Sequence, residues 1–376
     1  MSLKAGLVLT TIRNSAVLET YADNFRRYEH LDQVEVYMIP DRKTPRAMME
    51  RCTALARGGL KVTCPTLTEQ EDFLRRIDFP PDVIPYDSDN RRNVGYLMAL
   101  ESGSDFVISI DDDNYCRSDA DVFAAHAVVC ERAIEAQVVE AEEGWFNICT
   151  LLEIDRPGTT YPRGFPYYAR HKPAAARLST AKVDVHINAG LWLLAPDIDA
   201  INWLVAPVQA LAFKGPSLAL GKRTWSPINT QNTALRREVL SAFYYVRMNY
   251  PVDGLTLDRW GDIITGYFIE ACVKHLGGSI RVGTPIADHR RNEHDYIKDA
   301  ALEWGCIRLF EDLLPWLQEA RLSGSTHLEA YTALSHCLED VVAKQRGEIW
   351  SEGVRAYFHQ VAHHMRTWAR VANRLL

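Results

Sequence analysis

Three consecutive carboxylates, Asp111, Asp112 and Asp113, carry the clearest chemical signal in the sequence. They follow the apolar run Phe106–Ile110, which is typical of a buried strand, so the acids stand at the carboxyl end of that strand. Two carboxylates separated by one residue offer hard oxygen ligands to Mn²⁺ or Mg²⁺. Such a cation neutralises a diphosphate that the carboxylates alone would repel, and it makes the diphosphate a better leaving group. The pattern therefore predicts a divalent-cation site that holds a diphosphate.

The position of this acidic triplet decides between two interpretations. An isolated run of aspartates usually caps a helix or faces solvent. At the buried end of an apolar strand, however, three adjacent carboxylates repel one another, and a bound cation is the simplest compensation. His289 follows a strand-like segment and a turn that contains Pro285, and its imidazole is a candidate for a further metal ligand. A structural role for this histidine stays open.

Strands and helices alternate along the chain before the acidic triplet. Residues 7–11 form an apolar, β-branched run that predicts a first strand, followed by a helix at residues 16–28 and a second strand at residues 34–39. Such alternation predicts a largely parallel sheet. In sheets of this kind, ligands bind beyond the carboxyl ends of the strands, where the loops form a crevice. The acidic triplet is therefore expected to face a binding crevice.

The rest of the chain continues this pattern and then becomes helical. The further predicted helices cover residues 44–56, 68–77, 94–100, 118–140 and 263–276, and the further predicted strands cover residues 60–64, 146–152, 191–194 and 280–282. Residues 302–376 read as mainly helical. We therefore expect an α/β protein with one catalytic domain at residues 1–300 and a helical C-terminal region at residues 301–376 that packs on it.

Composition argues against several classes of protein. The formal net charge of −7 and the pI near 6.0 indicate no basic surface of the kind that nucleic acid requires, so we expect no nucleic-acid partner. The eight cysteines lie far apart without a CxxC pair, which indicates reduced, mostly buried thiols. No segment approaches the roughly 20 apolar residues that span a bilayer, and no secretory signal is visible. A cytoplasmic location is the expectation.

The last predicted helix is basic and contains interleaved aromatic residues. Its basic and aromatic residues are Arg355, His359, His363, His364, Arg366, Arg370 and Arg374, with Tyr357, Phe358 and Trp368. One interpretation is a helix that lies on a membrane surface or binds a partner, and the other is a packed helix with a solvated face. Peripheral membrane contact through this helix and the formation of a homo-oligomer both stay open.

Several short runs carry a family resemblance by their content and their order. The runs are Thr11-Ile12-Arg13-Asn14, Arg92-Asn93-Val94-Gly95-Tyr96, Ile110-Asp111-Asp112-Asp113, Arg163-Gly164-Phe165-Pro166-Tyr167 with Arg170, Gly190-Leu191-Trp192-Leu193 with Pro196-Asp197, Asn232, and residues 259–262 with His275-Leu276-Gly277. Together they resemble the reversibly glycosylated polypeptides, a family that includes the UDP-arabinopyranose mutases. The resemblance covers roughly residues 7–317.

This resemblance implies a GT-A type nucleotide-diphospho-sugar transferase fold, which is a Rossmann-like mixed sheet flanked by helices. It also implies a nucleotide-sugar donor, in the first place a UDP-sugar, bound together with Mn²⁺ or Mg²⁺. Asp113 would be the direct metal ligand, joined by Asp111 and His289. Asp111 would also approach the ribose, and Asp112 would contact the metal's water shell or the sugar. The implied donor-binding residues are Thr11, Arg13, Asp41, Arg92, Asp111, Asp112, Trp192 and Asn232.

Three residues are candidates for catalytic roles under the resemblance: Arg163, Arg170 and Asp262. The family's glycosylatable arginine falls on Arg163, and a second family arginine falls seven residues later on Arg170. Either guanidinium could bind the diphosphate or sugar, Arg163 could accept a glycosyl group, or the two could form structural ion pairs. The high pKa of a guanidinium makes it a poor nucleophile and favours binding. Asp262 could contact sugar hydroxyls, act as a base toward an acceptor, or cap a helix.

Two segments depart from the family pattern. The acidic, glycine-containing loop after the second strand is here Pro40-Asp41-Arg42-Lys43-Thr44-Pro45, and the family's paired acids near the later helix become Gly261-Asp262. Both changes fall where the base, the sugar or an acceptor would bind. We therefore expect a metal-dependent glycosyltransferase that moves a sugar from a nucleotide-diphosphate donor to a small-molecule or glycan acceptor. A nucleotide-sugar mutase and a catalytically silent binding homologue are the alternatives.

Overall fold

The computed structural model of the protein describes residues 2–376. The described residues form fifteen strands: β1 (Ala5–Thr11), β2 (Val34–Pro40), β3 (Lys61–Thr63), β4 (Phe106–Ile110), β5 (Asn114–Cys116), β6 (Ile134–Ala141), β7 (Leu152–Ile154), β8 (Ala176–Val183), β9 (Val185–Leu194), β10 (Ala210–Phe213), β11 (Leu218–Leu220), β12 (Asn232–Arg236), β13 (Tyr250–Val252), β14 (Leu255–Leu257) and β15 (Ser279–His289). They also form ten α-helices: α1 (Val17–Arg27), α2 (Arg46–Arg57), α3 (Leu67–Arg76), α4 (Arg92–Glu101), α5 (Val122–Ala127), α6 (Ala200–Val205), α7 (Gly261–His275), α8 (Tyr296–Glu319), α9 (His327–Lys344) and α10 (Glu352–Leu375).

One sheet of thirteen strands organises the described part of the chain. Its main path runs β3-β2-β1-β4-β12-β9-β15-β11-β6-β8, while β5, β7 and β10 attach to its sides and β13 and β14 form a separate hairpin. β1 pairs in parallel with β2 and β4, whereas β12 runs antiparallel to β4 and β9. A parallel half that continues into a mixed half, with helices around it, is the GT-A type arrangement expected from the sequence. The predicted fold class is confirmed.

The two faces of β1 bury their side chains in different cores. Leu7 and Leu9 belong to a core that includes apolar residues of α1, α2 and α5. Val8 belongs instead to a larger core with residues of α4, α7 and the C-terminal helices. This alternation follows from the two-residue period of a strand. Because both faces are covered, strands such as β1 and β4 read as continuous apolar runs.

The C-terminal helices extend the larger core. Trp368 of α10 is buried, and its indole nitrogen donates to the carbonyl of Leu240 at 2.7 Å. Tyr357 and Phe358 of the same helix are buried too, so the aromatic residues of this basic helix contact protein. Within residues 2–376, no helix combines the length and the apolar character needed to cross a membrane. The domain boundary expected at residue 300 falls inside α8 (Tyr296–Glu319) and stays a prediction.

Residues 118–140 differ from their sequence prediction of one helix. Only Val122–Ala127 forms an α-helix, which Asp121 caps by accepting a hydrogen bond from the amide of Ala124 at 2.9 Å. Ile134–Ala141 forms β6, which pairs with β11 and β8. The prediction was wrong because pairing within the sheet outweighs the helical composition of this segment.

The strand predicted at residues 146–152 is also wrong over most of its length. Ile148–Leu151 forms a 3₁₀ helix, and β7 begins only at Leu152. Asn147 starts the 3₁₀ helix because its side chain accepts a hydrogen bond from the amide of Cys149 at 3.0 Å. An asparagine that bonds to the backbone in this way favours a turn over a strand.

Candidate active site

A cleft of about 790 Å³ is lined by residues that follow the carboxyl ends of β1, β2 and β4. Sites that bind small molecules and cofactors commonly have volumes between about 300 and 1,000 Å³. Loops from distant parts of the chain meet here because parallel strands end at the same edge of a sheet. The predicted site residues that line the cleft are Thr11, Arg13, Asp41, Arg92, Asp111, Asp112, Asp113, Arg163, Asp262 and His289.

Asp113 and His289 are neighbours in this cleft. The Oδ2 atom of Asp113 lies 3.5 Å from Nε2 of His289. The other ring nitrogen, Nδ1, lies 2.6 Å from the carbonyl of Ala195 and donates to it, because a carbonyl can only accept. Because Nδ1 donates to this carbonyl, Nε2 is the ring nitrogen that faces Asp113. The Asp113 carboxylate and Nε2 of His289 therefore stand together as candidate metal ligands, and a cation bound at Nε2 would take the place of any proton there.

The other two aspartates of the triplet have different partners. Arg92, whose side chain is almost fully buried, donates from Nη2 to Oδ1 of Asp111 at 2.7 Å. Asp112 accepts a hydrogen bond from the hydroxyl of Thr11. Each carboxylate is thus held by a separate group of the scaffold, and only Asp113 is paired with the histidine.

The pKa values of the triplet follow from these environments. Burial raises the pKa of Asp111 to about 6, against the opposing charge of Arg92. Burial likewise raises the pKa of Asp112. Burial acts in the same direction on Asp113, but the hydrogen bond and charge of His289 outweigh it and bring the pKa of Asp113 below its ordinary value. Asp113 is therefore the triplet member most strongly held as a carboxylate, the form that binds a cation.

The donor set is too small for a metal cage made by protein alone. Within residues 2–376, no group of three or more His, Cys, Asp or Glu side chains converges to hold a metal ion. Asp113 and His289 offer two donors, so a cation at this place would need further oxygen ligands from a bound molecule and from water. Mg²⁺ is commonly bound in this way, by one or two carboxylates together with substrate phosphates and water. The residues fit a cation that binds together with a diphosphate.

Asp41 joins two segments of the cleft wall. Its side chain is buried, and its carboxylate accepts hydrogen bonds from the backbone amides of Arg42 at 2.7 Å and Ser88 at 3.2 Å. Asp41 therefore connects the loop after β2 to the segment that contains Ser88. Arg13 lines the cleft from the loop after β1, and its side chain is exposed.

Arg163 is buried and uses all five of its N–H groups within the protein. Nε and Nη2 donate to the two oxygens of Asp197 at 3.0 and 3.1 Å. Nη1 and Nη2 donate to the two oxygens of Asp262 at 3.0 and 2.6 Å. The remaining Nη1 proton goes to the carbonyl of Arg259. Since a guanidinium has five N–H donors, none is left for a diphosphate, and the geometry supports the ion-pair interpretation.

Three predicted site residues lie outside the lining of the cleft. Arg170 forms an ion pair with Asp199 at 2.7 Å. Trp192 is buried within β9. Asn232 is buried at the start of β12 and donates to the carbonyl of Pro285 at 2.8 Å. These side chains contact the scaffold itself, so the geometry gives no support to the catalytic role predicted for Arg170 or to donor binding by the other two.

Other residues of the cleft had no role in the sequence prediction. They include Asp89, Asp197, Tyr245, Asp258, Arg259, Arg291, Asn292 and His294. Asn292 is close to the acidic triplet and donates to Oδ2 of Asp113 at 2.9 Å. Asp197 and Arg259 belong to the runs that carry the family resemblance, and this was the one signal available for them. The remaining residues come from loops without a local pattern.

The fold and this cleft define an α/β protein with a candidate site for an anionic small molecule and a divalent cation. The reversibly glycosylated polypeptide family matches residues 66–375 of the chain. That match spans most of the chain, including the acidic triplet, Arg163 and His289. The chain belongs to the reversibly glycosylated polypeptide family.

Similar proteins with curated names are UDP-arabinopyranose mutases of plants. UDP-arabinopyranose mutase 1 of Arabidopsis thaliana is 26% identical over 306 residues, which cover 80% of this chain and 77% of the relative. A probable UDP-arabinopyranose mutase 1 of Pisum sativum is 25% identical and covers 96% of this chain and 88% of the relative. The similarity therefore extends over most of the length of both proteins.

Among solved structures, glucosyl-3-phosphoglycerate synthase from Mycobacterium tuberculosis has partial structural similarity. Its complex with Mn²⁺ and UDP-glucose gives a TM-score of 0.41 at 14% sequence identity, covering 86% of this chain and 82% of that chain. The complex with phosphoglyceric acid gives the same TM-score of 0.41.

Proposed function

We propose that the chain is a metal-dependent enzyme that acts on a nucleoside-diphosphate sugar, with a UDP-sugar as the first candidate. The observation that carries this proposal is the pair formed by Asp113 and His289, 3.5 Å apart in a cleft at the carboxyl end of β4. A lone acidic triplet would leave three repelling carboxylates in a buried place. Here each one has a partner, and the pair with the histidine provides donors for a cation.

Asp113 and His289 would hold Mn²⁺ or Mg²⁺ together with the phosphate oxygens of the donor. When bound, the cation would neutralise the diphosphate and stabilise the negative charge that it gains on leaving the sugar. Asn292, which donates to Asp113 at 2.9 Å, keeps that carboxylate in place. A side chain whose rotamer is fixed by its neighbours is better prepared to bind than a mobile one.

Asp111 and Asp112 would contact the donor rather than supply the main metal ligand. The ion pair with Arg92 neutralises Asp111 and leaves its second oxygen available for a ribose hydroxyl. Asp112 is held by Thr11 and would contact the water shell of the cation or the sugar. Asp262, whose two oxygens accept hydrogen bonds from Arg163, is the candidate for contact with sugar hydroxyls.

Mutase activity is the first candidate for the reaction. The diphosphate leaves the anomeric carbon, the sugar changes its ring form, and the same nucleotide captures it again. The curated relatives named as UDP-arabinopyranose mutases support this candidate, since the Pisum sativum relative matches over 96% of this chain. A mutase needs no second substrate.

Transferase activity is a second candidate, and the packing around Gly261 favours it. The family's paired acids become Gly261-Asp262 in this chain. A Cβ atom at Gly261 would lie 2.7 Å from the ring of Tyr245 and 2.7 Å from the carbonyl of Val246. No side chain fits there without movement of the backbone. The packing around position 261 therefore excludes the second acidic side chain that the family has beside Asp262. The loss of an acid beside Asp262 can change whether the sugar reacts with the departing nucleotide or with an acceptor.

The reaction is tested by incubating the purified protein with Mn²⁺ and a panel of UDP-sugars, first without an acceptor. Chromatography separates the ring isomers of each UDP-sugar from free UDP. A mutase produces the isomer without loss of total UDP-sugar, whereas a transferase releases UDP only when an acceptor is added. The control variants are Asp113→Asn, expected to be inactive, and Asp119→Asn at an exposed position, expected to be active. Absence of isomer and of UDP with every donor and acceptor would overturn the proposed function in favour of a silent homologue.

A further inference from the structure

Arg291 is a half-buried guanidinium in the cleft wall that lacks a carboxylate partner within the described residues. Its Nε atom is buried and has no hydrogen-bond partner. The other arginines of the cleft that are not exposed are all paired: Arg92 with Asp111, Arg163 with Asp197 and Asp262, and Arg259 with Glu303. Among the arginines of the cleft that are not exposed, Arg291 is therefore the one without a salt bridge in the described residues.

Two aromatic rings hold Arg291 in place. Its guanidinium carbon lies 5.0 Å from the ring centre of Trp203 and 5.4 Å from that of Tyr296. The two rings are stacked on each other, with centres 5.6 Å apart and planes only 10° from parallel. Contact with aromatic faces restricts a long, flexible side chain while leaving its N–H groups free. The guanidinium is thus held in place without a salt bridge.

The free-energy cost of partly burying the Arg291 guanidinium without an acceptor indicates a ligand. The Nε atom of Arg291 is removed from water and gains no hydrogen-bond partner in exchange. An arginine nevertheless stays protonated at neutral pH, so the protein carries a partly desolvated cation. Such a charge is relieved by an anion that supplies the missing acceptor oxygens. Arg291 also precedes Asn292, which contacts Asp113, so an anion bound to it would lie near the acidic triplet.

We infer that Arg291 forms a substrate oxyanion subsite, in which its planar fork binds a phosphate or carboxylate group by paired hydrogen bonds. The chemistry admits two sources, the diphosphate of the donor or an anionic group of a second substrate. This inference rests on the proposed function for the identity of the nucleotide, but the oxyanion itself can be tested independently. It makes Arg291 a binding residue, separate from the metal ligands.

The test compares the wild type with Arg291→Gln, Arg291→Lys and the matched control Arg290→Gln by titration calorimetry. Arg290 is the adjacent arginine, is exposed, and lies over Tyr115 at 4.4 Å outside the cleft lining. One arm titrates UDP with Mn²⁺, and the other titrates inorganic phosphate into the protein already saturated with UDP and Mn²⁺. Arg291→Gln should weaken binding at least about tenfold in one arm, because charge-assisted paired hydrogen bonds are strong.

The arm that responds identifies the source of the oxyanion. Loss in the UDP arm assigns the donor's diphosphate, and loss in the phosphate arm assigns a second substrate. Arg291→Lys should recover only part of the affinity, since a lysine keeps the charge but not the planar fork. If the wild type binds no UDP, the proposed function fails, and phosphate binding to the free protein then tests Arg291 alone. The inference is overturned if the wild type and Arg291→Gln bind every probe with equal affinity. It is also overturned if the wild type binds neither UDP nor phosphate.

Discussion

Arg163 and Asp262 form a buried, two-pronged ion pair, with N···O distances of 3.0 and 2.6 Å, in the wall of the candidate active site. Burial disfavours the charge of Arg163, yet Asp197 and Asp262 raise the pKa of Arg163 well above its ordinary value. A guanidinium in this state has no lone pair to offer and no free N–H group. Arg163 therefore acts on Asp262 by holding it at the start of α7.

Arg163→Ala should lower the free energy of unfolding by about 3–5 kcal/mol, because it leaves two buried carboxylates without their cation. Urea unfolding followed by tryptophan fluorescence measures this change. Arg156→Ala is the control, since Arg156 is exposed in the same loop and should have little effect on stability. A variant at position 163 as stable as the wild type would contradict the assigned role.

The same geometry predicts that Arg163 is not glycosylated during turnover. All five of its N–H groups are engaged, so a covalent sugar would break the pairs with Asp197 and Asp262. Peptide mapping by mass spectrometry after incubation with a UDP-sugar and Mn²⁺ should find the peptide with Arg163 unmodified. A sugar on this residue in a substantial fraction of the protein would show that the ion pairs open.

His327 and His186 are buried with ring nitrogens 3.1 Å apart, and this pair predicts a loss of stability at acidic pH. Burial and the charge of His186 lower the pKa of His327 to about 3, and burial also lowers the pKa of His186. Histidine in an unfolded chain titrates near 6.5. Below about pH 6.5 the unfolded chain therefore binds more protons than the folded one. The stabilisation is fully present above that pH and falls toward pH 3, by up to about 1.4 kcal/mol per unit for each such histidine.

His327→Gln should flatten this pH dependence, since it removes one of the groups that cannot be protonated without unfolding. Urea unfolding between pH 7 and pH 4 measures the slope for the wild type, for this variant and for His171→Gln. His171 is exposed, so the control should keep the slope of the wild type. Equal slopes in all three proteins would show that His327 titrates normally in the fold.

Trp368→Ala should destabilise the protein by about 3–5 kcal/mol, the range for loss of a large buried aromatic side chain. Trp368 is fully buried, and its hydrogen bond to the carbonyl of Leu240 ties α10 to the sheet domain. Trp304→Ala is the matched control, because Trp304 is 45% exposed on α8. Thermal unfolding compares the two variants. Similar melting temperatures would mean that α10 contributes little to the common core.

Sequence reasoning succeeded where local pattern and burial agree. β4 has the predicted bounds, Phe106–Ile110, because a strand buried on both faces must be apolar throughout. It failed at residues 118–140, where an alanine-rich segment with good helical composition is divided between a short helix and a strand. β8 (Ala176–Val183) was not predicted either, because it is an exposed edge strand without an apolar pattern.

Some residues of the candidate site were likewise predicted from the sequence and others were not. Asp113 and His289 were predicted, the first from its place at a strand end and the second from the family resemblance. Arg291 and Asn292 were not predicted. Arg291 is notable because it lacks a salt bridge and Asn292 because it contacts Asp113, and both facts depend on the three-dimensional structure. The full pairing of Arg163 was also beyond the sequence, because Asp197 and Asp262 are brought to it by separate loops.

The central claim is that Asp113 and His289 bind a cation together with a nucleoside diphosphate. The most direct test measures the melting temperature with UDP in the presence and absence of Mn²⁺, for the wild type, Asp113→Asn and the exposed control Asp119→Asn. A ligand that binds only the folded state raises the melting temperature. We predict a rise that requires Mn²⁺ in the wild type and in the control, and no rise in Asp113→Asn. A rise that persists in Asp113→Asn, or no rise in the wild type, would contradict the claim.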